Sequence, residues 1–309
     1  MISKIKNRLF VYLISYLNYY KKTAKITKVQ RIMLCLKIIL KNPWRAFRVI
    51  IGKYFVVGYV EVPLTTICTL KCKNCSALMD YYTNGKHVEL ENNIKSLDNL
   101  IDSADLLLHL RLLGGEPLCY PNLYDVLLHF KDNKKVKRIT IVTNGTLLFK
   151  DERILDILKD KKYDVFISNY GDASRQKEKL IKQLMDNNIK YHLEDENAVW
   201  RDFGDFNSRN RSKKELKEQY KNCKLICNSI LNGNLHHCPR SSHGTNLKKI
   251  PLRNQDFINL LDENITKKQL RKELYDFFYG NVDYIEACNY CDNGTNIIKE
   301  IPAGIQCKK

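Results

Sequence analysis

Apolar runs and helical patterns alternate along the middle of the chain. Segments rich in apolar or β-branched residues predict strands at residues 58–65, 106–113, 136–143, 163–168 and 189–194. Amphipathic segments between them predict helices at residues 90–104, 122–132, 151–160 and 174–187. Strands separated by helices indicate βαβ units and a parallel sheet. Five strands, or six with a short one near Trp200, are fewer than the eight of a full barrel. The pattern therefore predicts an α/β fold built as a partial (β/α) barrel.

The pattern changes after residue 200, where the chain becomes polar, rich in lysine and punctuated by cysteines. We therefore predict three parts. Residues 1–56 form a basic, aromatic-rich helical segment, residues 57–200 the partial barrel, and residues 201–309 a small cysteine-rich extension.

Charge is concentrated at the start of the chain. Residues 1–60 hold 13 Lys or Arg and no Asp or Glu, so they carry most of the net charge of +18. Within them, Asn42-Pro43 predicts the capped start of a helix that ends near Gly52. The segment either packs on the barrel, lies on an anionic membrane surface or binds nucleic acid. No recognised nucleic-acid motif supports the last alternative, so we regard nucleic acid as an unlikely partner.

The eleven cysteines have to be interpreted together with the cellular compartment. No secretory cleavage site follows the basic start. The apolar stretches at residues 9–17 and 32–40 are far shorter than the roughly 20 residues that span a bilayer. Without a signal for secretion, this many cysteines indicates metal binding in a reducing compartment rather than disulfides. We therefore predict a cytoplasmic protein, and the basic segment leaves peripheral membrane contact open.

Three cysteines follow the first predicted strand in the pattern Cys-x3-Cys-x2-Cys, at Cys68, Cys72 and Cys75. Three thiolates at this spacing can hold three irons of a 4Fe–4S cluster, which four cysteines normally hold. The fourth iron is then open to another ligand, as in a catalytic metal site. The ends of strands in a (β/α) barrel form the face that carries its chemistry. A zinc site or plain buried thiols are the alternatives.

A second motif, Gly114-Gly115-Glu116, follows the second predicted strand. Two glycines allow the backbone to approach a ligand closely, and the Glu116 carboxylate can accept a hydrogen bond from an ammonium group. The third and fourth predicted strands also end in polar residues, at 143–146 and 168–169. Polar residues at strand ends are site candidates, although turn chemistry alone could explain both pairs.

Together, the cysteine and glycine motifs resemble those of the radical S-adenosylmethionine (radical SAM) enzymes. In that family the amino and carboxylate groups of SAM chelate the fourth iron. An electron from the cluster cleaves SAM to methionine and a 5′-deoxyadenosyl radical, which removes a hydrogen atom from the substrate. An external one-electron reductant of the flavodoxin or ferredoxin type is implied as a partner.

The resemblance also implies which residues bind SAM. Gly114, Gly115 and Glu116 would meet its amino group, and Ser168 or Asn169 its ribose. One position departs from the family pattern. Many members carry an aromatic residue just before the third cysteine, where it meets the adenine, and this chain has Asn74 there.

Six of the eleven cysteines lie after residue 220. Cys223 and Cys238 are spaced as Cys-x9-Gly-x4-Cys, and Cys288 and Cys291 are separated by two residues. Such spacing is typical of metal ligands. The first pair resembles the opening of the SPASM extension of radical SAM enzymes, but the continuation expected after Cys291 is missing. The resemblance is therefore to the shorter twitch form, which implies one auxiliary 4Fe–4S cluster held by these four cysteines.

Other residues leave this ligand set open. Cys227 or Cys307 could replace one of the four cysteines, and His236 and His237 beside Cys238 keep a zinc knuckle as an alternative, because imidazole suits zinc.

Relatives with such an extension use the auxiliary cluster to accept an electron or to hold the substrate. Removal of a hydrogen atom from a carbinol carbon leaves a ketyl-type radical, and loss of the hydroxyl proton and one electron from that radical gives a ketone. We therefore predict a radical SAM oxidoreductase that modifies a polyol, a sugar or a linked glycan. The alternatives are a peptide- or protein-modifying radical SAM enzyme and a non-enzymatic iron–sulfur or zinc protein. Arg201, at the junction with the extension, is a candidate for substrate contact, with plain surface charge as the alternative.

Overall fold

The computed structural model describes residues 2–19, 27–223, 227–280 and 282–307. Part of the predicted N-terminal segment, at residues 20–26, lies outside these ranges. The helices described are α1 (Ile2–Tyr19), α2 (Lys28–Lys41), α3 (Pro43–Ile50), α4 (Leu90–Ser103), α5 (Leu123–Phe130), α6 (Glu152–Leu158), α7 (Lys177–Asp186), α8 (Lys213–Asn222), α9 (Pro239–Asn246) and α10 (Lys267–Tyr279). The strands described are β1 (Val56–Pro63), β2 (Leu106–Leu113), β3 (Ile139–Thr143), β4 (Tyr163–Ile167), β5 (Tyr191–Leu193), β6 (Val199–Asp202), β7 (Ser229–Leu231), β8 (Asn234–His236), β9 (Phe257–Asn259) and β10 (Lys299–Pro302).

The first five strands form a parallel sheet in the order β5-β4-β3-β2-β1, and helices α4 to α7 connect them. The predicted α/β fold with a parallel sheet is therefore confirmed. Strand β2 has the predicted bounds, whereas β3 begins three residues late, because Val136 meets Leu107 only in an isolated bridge. Leu107, Leu110 and Leu112 of β2 have no exposed surface. This is expected for a parallel strand that is covered on both faces.

The expected strand near Trp200 exists but does not join this sheet. It is β6, which pairs antiparallel with β10 in a separate two-stranded sheet. The large sheet instead grows at its other edge, where β7 pairs in parallel with β1 at Glu61 and Ser229, and β8 and β9 follow antiparallel. Strands β7, β8 and β9 have three residues each and lie outside the regular alternation of strands and helices that indicated the equally short β5, so the sequence did not predict them.

Side chains that cap the first turn define where several helices begin. In α8, the Ser212 hydroxyl accepts a hydrogen bond from the Glu215 backbone, and the Glu215 side chain accepts one from the Ser212 backbone. Thr266 and Gln269 form the same capping box in α10. Each box satisfies backbone N–H groups that a helix leaves unpaired at its start.

The first helix is part of the folded core. Tyr12 and Leu17 of α1 are about 1% exposed, and the Asn7 Nδ2 donates a hydrogen bond to the Tyr279 carbonyl oxygen at 2.6 Å. Gly58 of β1 lies against this helix so closely that a Cβ there would be 2.7 Å from the Ser15 Cβ. Helix α3 begins at Pro43 with the Asn42 side chain as its cap, as predicted. No helix in the described ranges is long and apolar enough to cross a bilayer.

We expect Gly58→Ala to lower the free energy of unfolding by about 1–3 kcal/mol, because the added methyl group forces α1 away from β1. Removal of the opposing side chain in Gly58→Ala/Ser15→Gly should recover part of that loss. Ser15→Gly alone is the matched control and measures the intrinsic cost of glycine in a helix. Denaturant unfolding of the four proteins gives the coupling energy, and simple additivity of the two single changes would show that α1 does not pack on β1 at this point.

Candidate active site

A cavity of about 260 Å³ lies where the parallel strands end, and Cys68, Cys72 and Cys75 all line it. Gly114 and Gly115 line the same cavity. The two sequence motifs thus meet at one site, at the strand ends where barrel chemistry is expected. Its volume is slightly below the range typical of small-molecule sites.

The thiols of this loop fit the ligands of an iron–sulfur cluster. The Cys68 Sγ accepts hydrogen bonds from the Leu70 N–H at 3.5 Å and the Asn144 Nδ2 at 3.6 Å, and the Cys72 Sγ accepts one from the Gln306 Nε2 at 3.1 Å. Hydrogen bonds to the sulfurs stabilise cluster ligands and tune their potential. Burial raises the pKa of Cys68 to about 12 and that of Cys72 to about 11, so metal binding there has to displace protons.

A cluster and a single metal ion demand different ligand arrangements. In the described part of the chain, no three Cys, His, Asp or Glu side chains form a group that could hold a metal ion. The three thiolates of a cluster bind separate irons, so their sulfurs need not converge on one point.

Asn74 has a backbone φ of 58°, in the left-handed region. Asparagine tolerates this conformation better than other residues with a side chain, apart from aspartate. An aromatic residue would be strained in this backbone conformation.

The glycine motif fits against the cysteine loop. The Gly115 N–H donates a hydrogen bond to the Thr65 carbonyl oxygen and the Glu116 N–H donates one to the Ile67 carbonyl oxygen, both at 2.8 Å. A Cβ on Gly115 would lie 2.2 Å from the Ile67 oxygen, which leaves no room for any other residue. The absence of a side chain therefore lets the cysteine loop dock. The predicted approach of these glycines to SAM stays a prediction.

Glu116 lies beneath the cavity and is fully buried. Its carboxylate accepts hydrogen bonds from the Leu118 N–H at 3.0 Å, and from the Thr143 Oγ1 and the Asn144 N–H at 2.8 Å each. Burial raises the pKa of this carboxyl to about 7, although the three hydrogen bonds act in the opposite direction and lower it. The observed role of Glu116 is to hold the end of β3, and its predicted bond to an ammonium group stays a prediction.

Asn144 connects this carboxylate to the cysteine loop. Its backbone N–H binds Glu116, while its side-chain Nδ2 donates to the Thr69 Oγ1 at 3.0 Å and to the Cys68 Sγ. The sequence marks residues 143–146 as a polar strand end but does not indicate these partners. Glu116 thus positions Cys68 through Asn144.

The two candidates for ribose contact are placed differently. Ser168 lines the cavity, together with its neighbour Tyr170. The Asn169 Oδ1 instead accepts hydrogen bonds from the Lys177 Nζ at 2.9 Å and the Gly171 N–H at 3.2 Å. Of the predicted pair, Ser168 is the residue with access to the cavity.

Three charged residues that were not predicted as site residues also line the first cavity. Glu61 and Arg111 face each other on β1 and β2, with 3.8 Å between the Glu61 Oε1 and the Arg111 Nη1. Glu194 follows β5, and burial raises the pKa of its carboxyl. A charged residue inside an otherwise apolar strand was the available signal, because burial of a charge requires a partner or a function.

Arg201 lies away from the cavity. Its Nη1 donates a hydrogen bond to the Asn293 Oδ1 at 3.3 Å, and the cavity is lined by its neighbour Trp200 instead. Successive residues of a strand point to opposite faces, which explains why Trp200 rather than Arg201 faces the cavity. The prediction that Arg201 contacts substrate in this cavity is not supported by its placement.

The four cysteines predicted as auxiliary ligands line a second, larger cavity of about 860 Å³. Cys223 follows α8, Cys238 caps α9, and Cys288 and Cys291 lie in the turn region before β10. Asn293 binds two of them, with its Nδ2 at 3.0 Å from the Cys223 Sγ and its N–H donating to the Cys291 Sγ at 3.4 Å. Three distant parts of the chain therefore converge on one thiol-lined site.

The two further cysteines are found in different places. Cys307 belongs to the first site, since its N–H donates to the Lys71 carbonyl oxygen at 2.7 Å beside Cys72. Cys307 does not line the second cavity, so its placement does not support the alternative that it is an auxiliary ligand. Cys227 lines the second cavity and keeps its place as an alternative ligand.

The two histidines that support a zinc alternative are both stacked on aromatic rings. The His236 ring lies on Phe257, and its Nδ1 is 3.0 Å from the Ser241 Oγ. The His237 ring stacks on Phe277 at 3.7 Å between centroids and lines the second cavity. Burial lowers the pKa of each imidazole to about 4, so both are neutral at pH 7. His237 lines the cavity of the four cysteines, but among the described residues it belongs to no group of three ligands around one ion, as zinc would require.

Comparison with known proteins identifies the domain that holds the first site. The family model of the radical SAM superfamily matches residues 62–187. The GTP 3′,8-cyclase of Syntrophomonas wolfei is 28% identical over 142 residues, which cover 41% of this chain and 43% of the cyclase. The antilisterial bacteriocin subtilosin biosynthesis protein AlbA of Bacillus subtilis is 33% identical over 104 residues, which cover 34% of this chain and 22% of that protein.

The similarity to these curated relatives spans less than half of their length. Among solved structures, BtrN in complex with AdoMet and 2-DOIA aligns with 82% of this chain and 96% of its own, at 16% identity and a TM-score of 0.46. Residues 62–187 form a radical SAM domain, the domain of a superfamily of enzymes.

Proposed function

We propose that the protein is a radical SAM enzyme with two metal centres. Cys68, Cys72 and Cys75 would hold the SAM-binding 4Fe–4S cluster. Cys223, Cys238, Cys288 and Cys291 would hold a second 4Fe–4S cluster, in an extension of the twitch type. The observation that carries the proposal is the convergence of the cysteine and glycine motifs on one cavity. When bound, the cluster and SAM would supply the 5′-deoxyadenosyl radical that removes hydrogen from a substrate.

The residues of the chain have separate tasks around this cavity. Glu116 and Asn144 fix the position of Cys68, and Gln306 donates a hydrogen bond to Cys72. Ser168 offers a hydroxyl for the ribose of SAM. Glu116, Asn144 and Ser168 are buried, so they keep a fixed geometry and exclude water from a reactive site, whereas Gln306 is exposed.

The substrate end of the cavity has a polar character. Glu61, Arg111 and Glu194 line it, and Trp200 adds an aromatic surface. The Arg111 guanidinium lies 5.1 Å from the Phe166 ring centroid, which keeps it in place between strands. A substrate with several hydrogen-bonding groups fits such a lining. We therefore retain redox modification at carbon of a polyol, a sugar or a linked glycan as the narrower proposal, although neither relative named above points to that class.

Peptide modification is the second candidate. The observation that favours it is the 33% identity to a protein of subtilosin biosynthesis, a bacteriocin pathway. The larger cavity beside the second cysteine set is open, and Glu61, Ser76 and Pro239 line both cavities. A chain segment could therefore enter from that side. The two candidates separate in a deuterium-transfer assay, because only the true substrate class passes deuterium from carbon into 5′-deoxyadenosine.

Anaerobic reconstitution with iron and sulfide tests the two centres. We expect about eight irons per chain in the wild type, because two 4Fe–4S clusters are bound. About four should remain when Cys68, Cys72 and Cys75 are replaced by alanine, and 5′-deoxyadenosine should then be lost. Cys35→Ala/Cys119→Ala is the matched control, since neither thiol lines either cavity, and it should keep all of the iron.

Other results would contradict parts of the proposal. A count of four irons in the wild type would rule out the second cluster. Bound zinc without formation of 5′-deoxyadenosine would rule out radical SAM activity. 

The second ligand set can be tested one thiol at a time. Cys223→Ala should lose most of the iron of the second centre, whereas Cys307→Ala should keep it, because Cys307 lies beside Cys72. Iron analysis and electron paramagnetic resonance of the reduced proteins measure this. Iron loss from the second centre in Cys307→Ala, with Cys223→Ala unaffected, would show that the thiols are arranged differently in the metal-bound protein.

Glu116→Gln should lower the free energy of unfolding by about 1–3 kcal/mol at pH 5, because buried donors lose an acceptor. Burial raises the pKa of the wild-type carboxyl to about 7, so its ionisation costs the folded wild type stability, and the difference should shrink as the pH rises from about 5 to about 7. The amide has one acceptor oxygen for three donors, and its NH₂ group would face one of them. Denaturant unfolding measures the loss, and 5′-deoxyadenosine formation should fall with it because Asn144 is displaced. Exposed Glu273→Gln is the control. Equal stability of the two variants would show that the Glu116 hydrogen bonds do not support the site.

A further inference from the structure

Helix α2 is apolar on two opposite faces. Ile38 is buried against the rest of the protein, at 6% exposure. On the other face, five large apolar side chains are each more than half exposed: Val29, Ile32, Met33, Leu36 and Leu40. A helix that packs on a protein by one face normally turns polar residues to the other. The outer face of α2 therefore requires an explanation.

The five residues form a continuous stripe, which we call the outer stripe. Positions 29, 33, 36 and 40 follow one another at the spacing of one helix face, and position 32 lies beside them. At 1.5 Å per residue the stripe is about 16 Å long. Scattered exposed apolar residues are common, but a contiguous apolar patch marks an interaction surface.

Helix α3 continues the exposed apolar character. Trp44, Phe47 and Ile51 are between 42% and 67% exposed, and the Trp44 and Phe47 rings stack at 5.5 Å between centroids. Asn42 ends α2 and caps α3 directly, without a linker. The two helices thus present apolar and aromatic side chains to the solvent from residue 29 to residue 51.

Charge identifies the partner. Residues 1–60 contain 13 Lys or Arg and no Asp or Glu, and Lys37 and Lys41 are exposed on α2 itself. A second copy of the chain at this surface would bring two sets of cations together. An anionic bilayer instead offers negative charge to the lysines and acyl chains to the stripe. Exposed tryptophan is also favoured at the headgroup level.

We propose that helices α2 and α3 lie on the surface of an anionic lipid bilayer, with the outer stripe at the boundary between headgroups and acyl chains. The helices bind in the plane of the surface and do not span it, in line with the absence of a membrane-crossing helix among the described residues. The proposed lipid binding does not depend on the radical chemistry or on the identity of the substrate.

The test uses the full-length chain and sedimentation with vesicles of phosphatidylcholine alone or mixed with phosphatidylglycerol. The wild type should bind the mixed vesicles, and binding should weaken as salt screens the charges. Ile32→Gln/Leu36→Gln/Leu40→Gln should weaken binding at least about tenfold, because it removes the buried apolar area. Glutamine supports a helix about as well as leucine, so α2 should persist.

The matched control is Leu128→Gln/Met185→Gln/Leu252→Gln. These three apolar side chains are exposed to a similar extent but lie outside the N-terminal helices, so binding should not change. Lys37→Gln/Lys41→Gln should weaken binding about fivefold for each lysine, about 25-fold together. Circular dichroism and 5′-deoxyadenosine formation without vesicles should be unchanged in all three variants.

Three results would overturn the proposal. The first is equal binding of the stripe variant and its control, and the second is no preference for the mixed vesicles. The third is self-association in the absence of lipid that the stripe variant abolishes, which would assign the surface to a second copy of the chain. None of these results bears on the iron content or SAM cleavage, so they are distinct from a failure of the proposed enzyme function.

Discussion

The buried carboxylate of Glu116 joins the ends of two strands and, through them, the cysteine loop. It is fully buried and accepts hydrogen bonds from Leu118, Thr143 and Asn144. An ionised group without such partners would be very costly in this position. Burial raises the pKa of the carboxyl to about 7, although the three hydrogen bonds act to lower it. The carboxylate therefore requires all three donors, and this requirement fixes where β3 ends relative to β2.

The cysteine loop depends on the same region through its backbone. Gly115 and Glu116 donate hydrogen bonds to Thr65 and Ile67, and the missing Cβ of Gly115 lets the chains approach. Asn144 then reaches Cys68 with its side chain. The position of Cys68 is thus set by the neighbouring strand ends. Preorganised ligands of this kind lose less conformational entropy when a cluster forms.

Much of this arrangement is local in the sequence, and that part was predictable. The Cys-x3-Cys-x2-Cys loop and Gly114-Gly115-Glu116 each follow an apolar strand, and parallel topology alone brings strand ends together. The hydrogen-bond partners of Asn144 were not predictable, and neither was the fact that Trp200 rather than Arg201 faces the cavity. Both depend on the direction of side chains. The place of Cys307 beside Cys72, where it had been only an alternative ligand of the second site, was not predictable either, because its pairing with Lys71 joins residues 236 positions apart. Periodicity within a short window contains no information about such a contact.

The residues after β10 connect the cysteine loop with the side of the cavity that Trp200 lines. After β10, residues 303–307 run beside the cysteine loop, where Ile305 and Cys307 pair with Lys73 and Lys71. The Gln306 Oε1 accepts a hydrogen bond from the Lys71 N–H at 3.0 Å, while its Nε2 donates to the Cys72 Sγ. Strand β10 is in turn paired with β6, which carries Trp200 into the cavity. A displacement of β10 would therefore act on the wall of the cavity and on Cys72 together, which makes residues 299–307 a structural part of the first site.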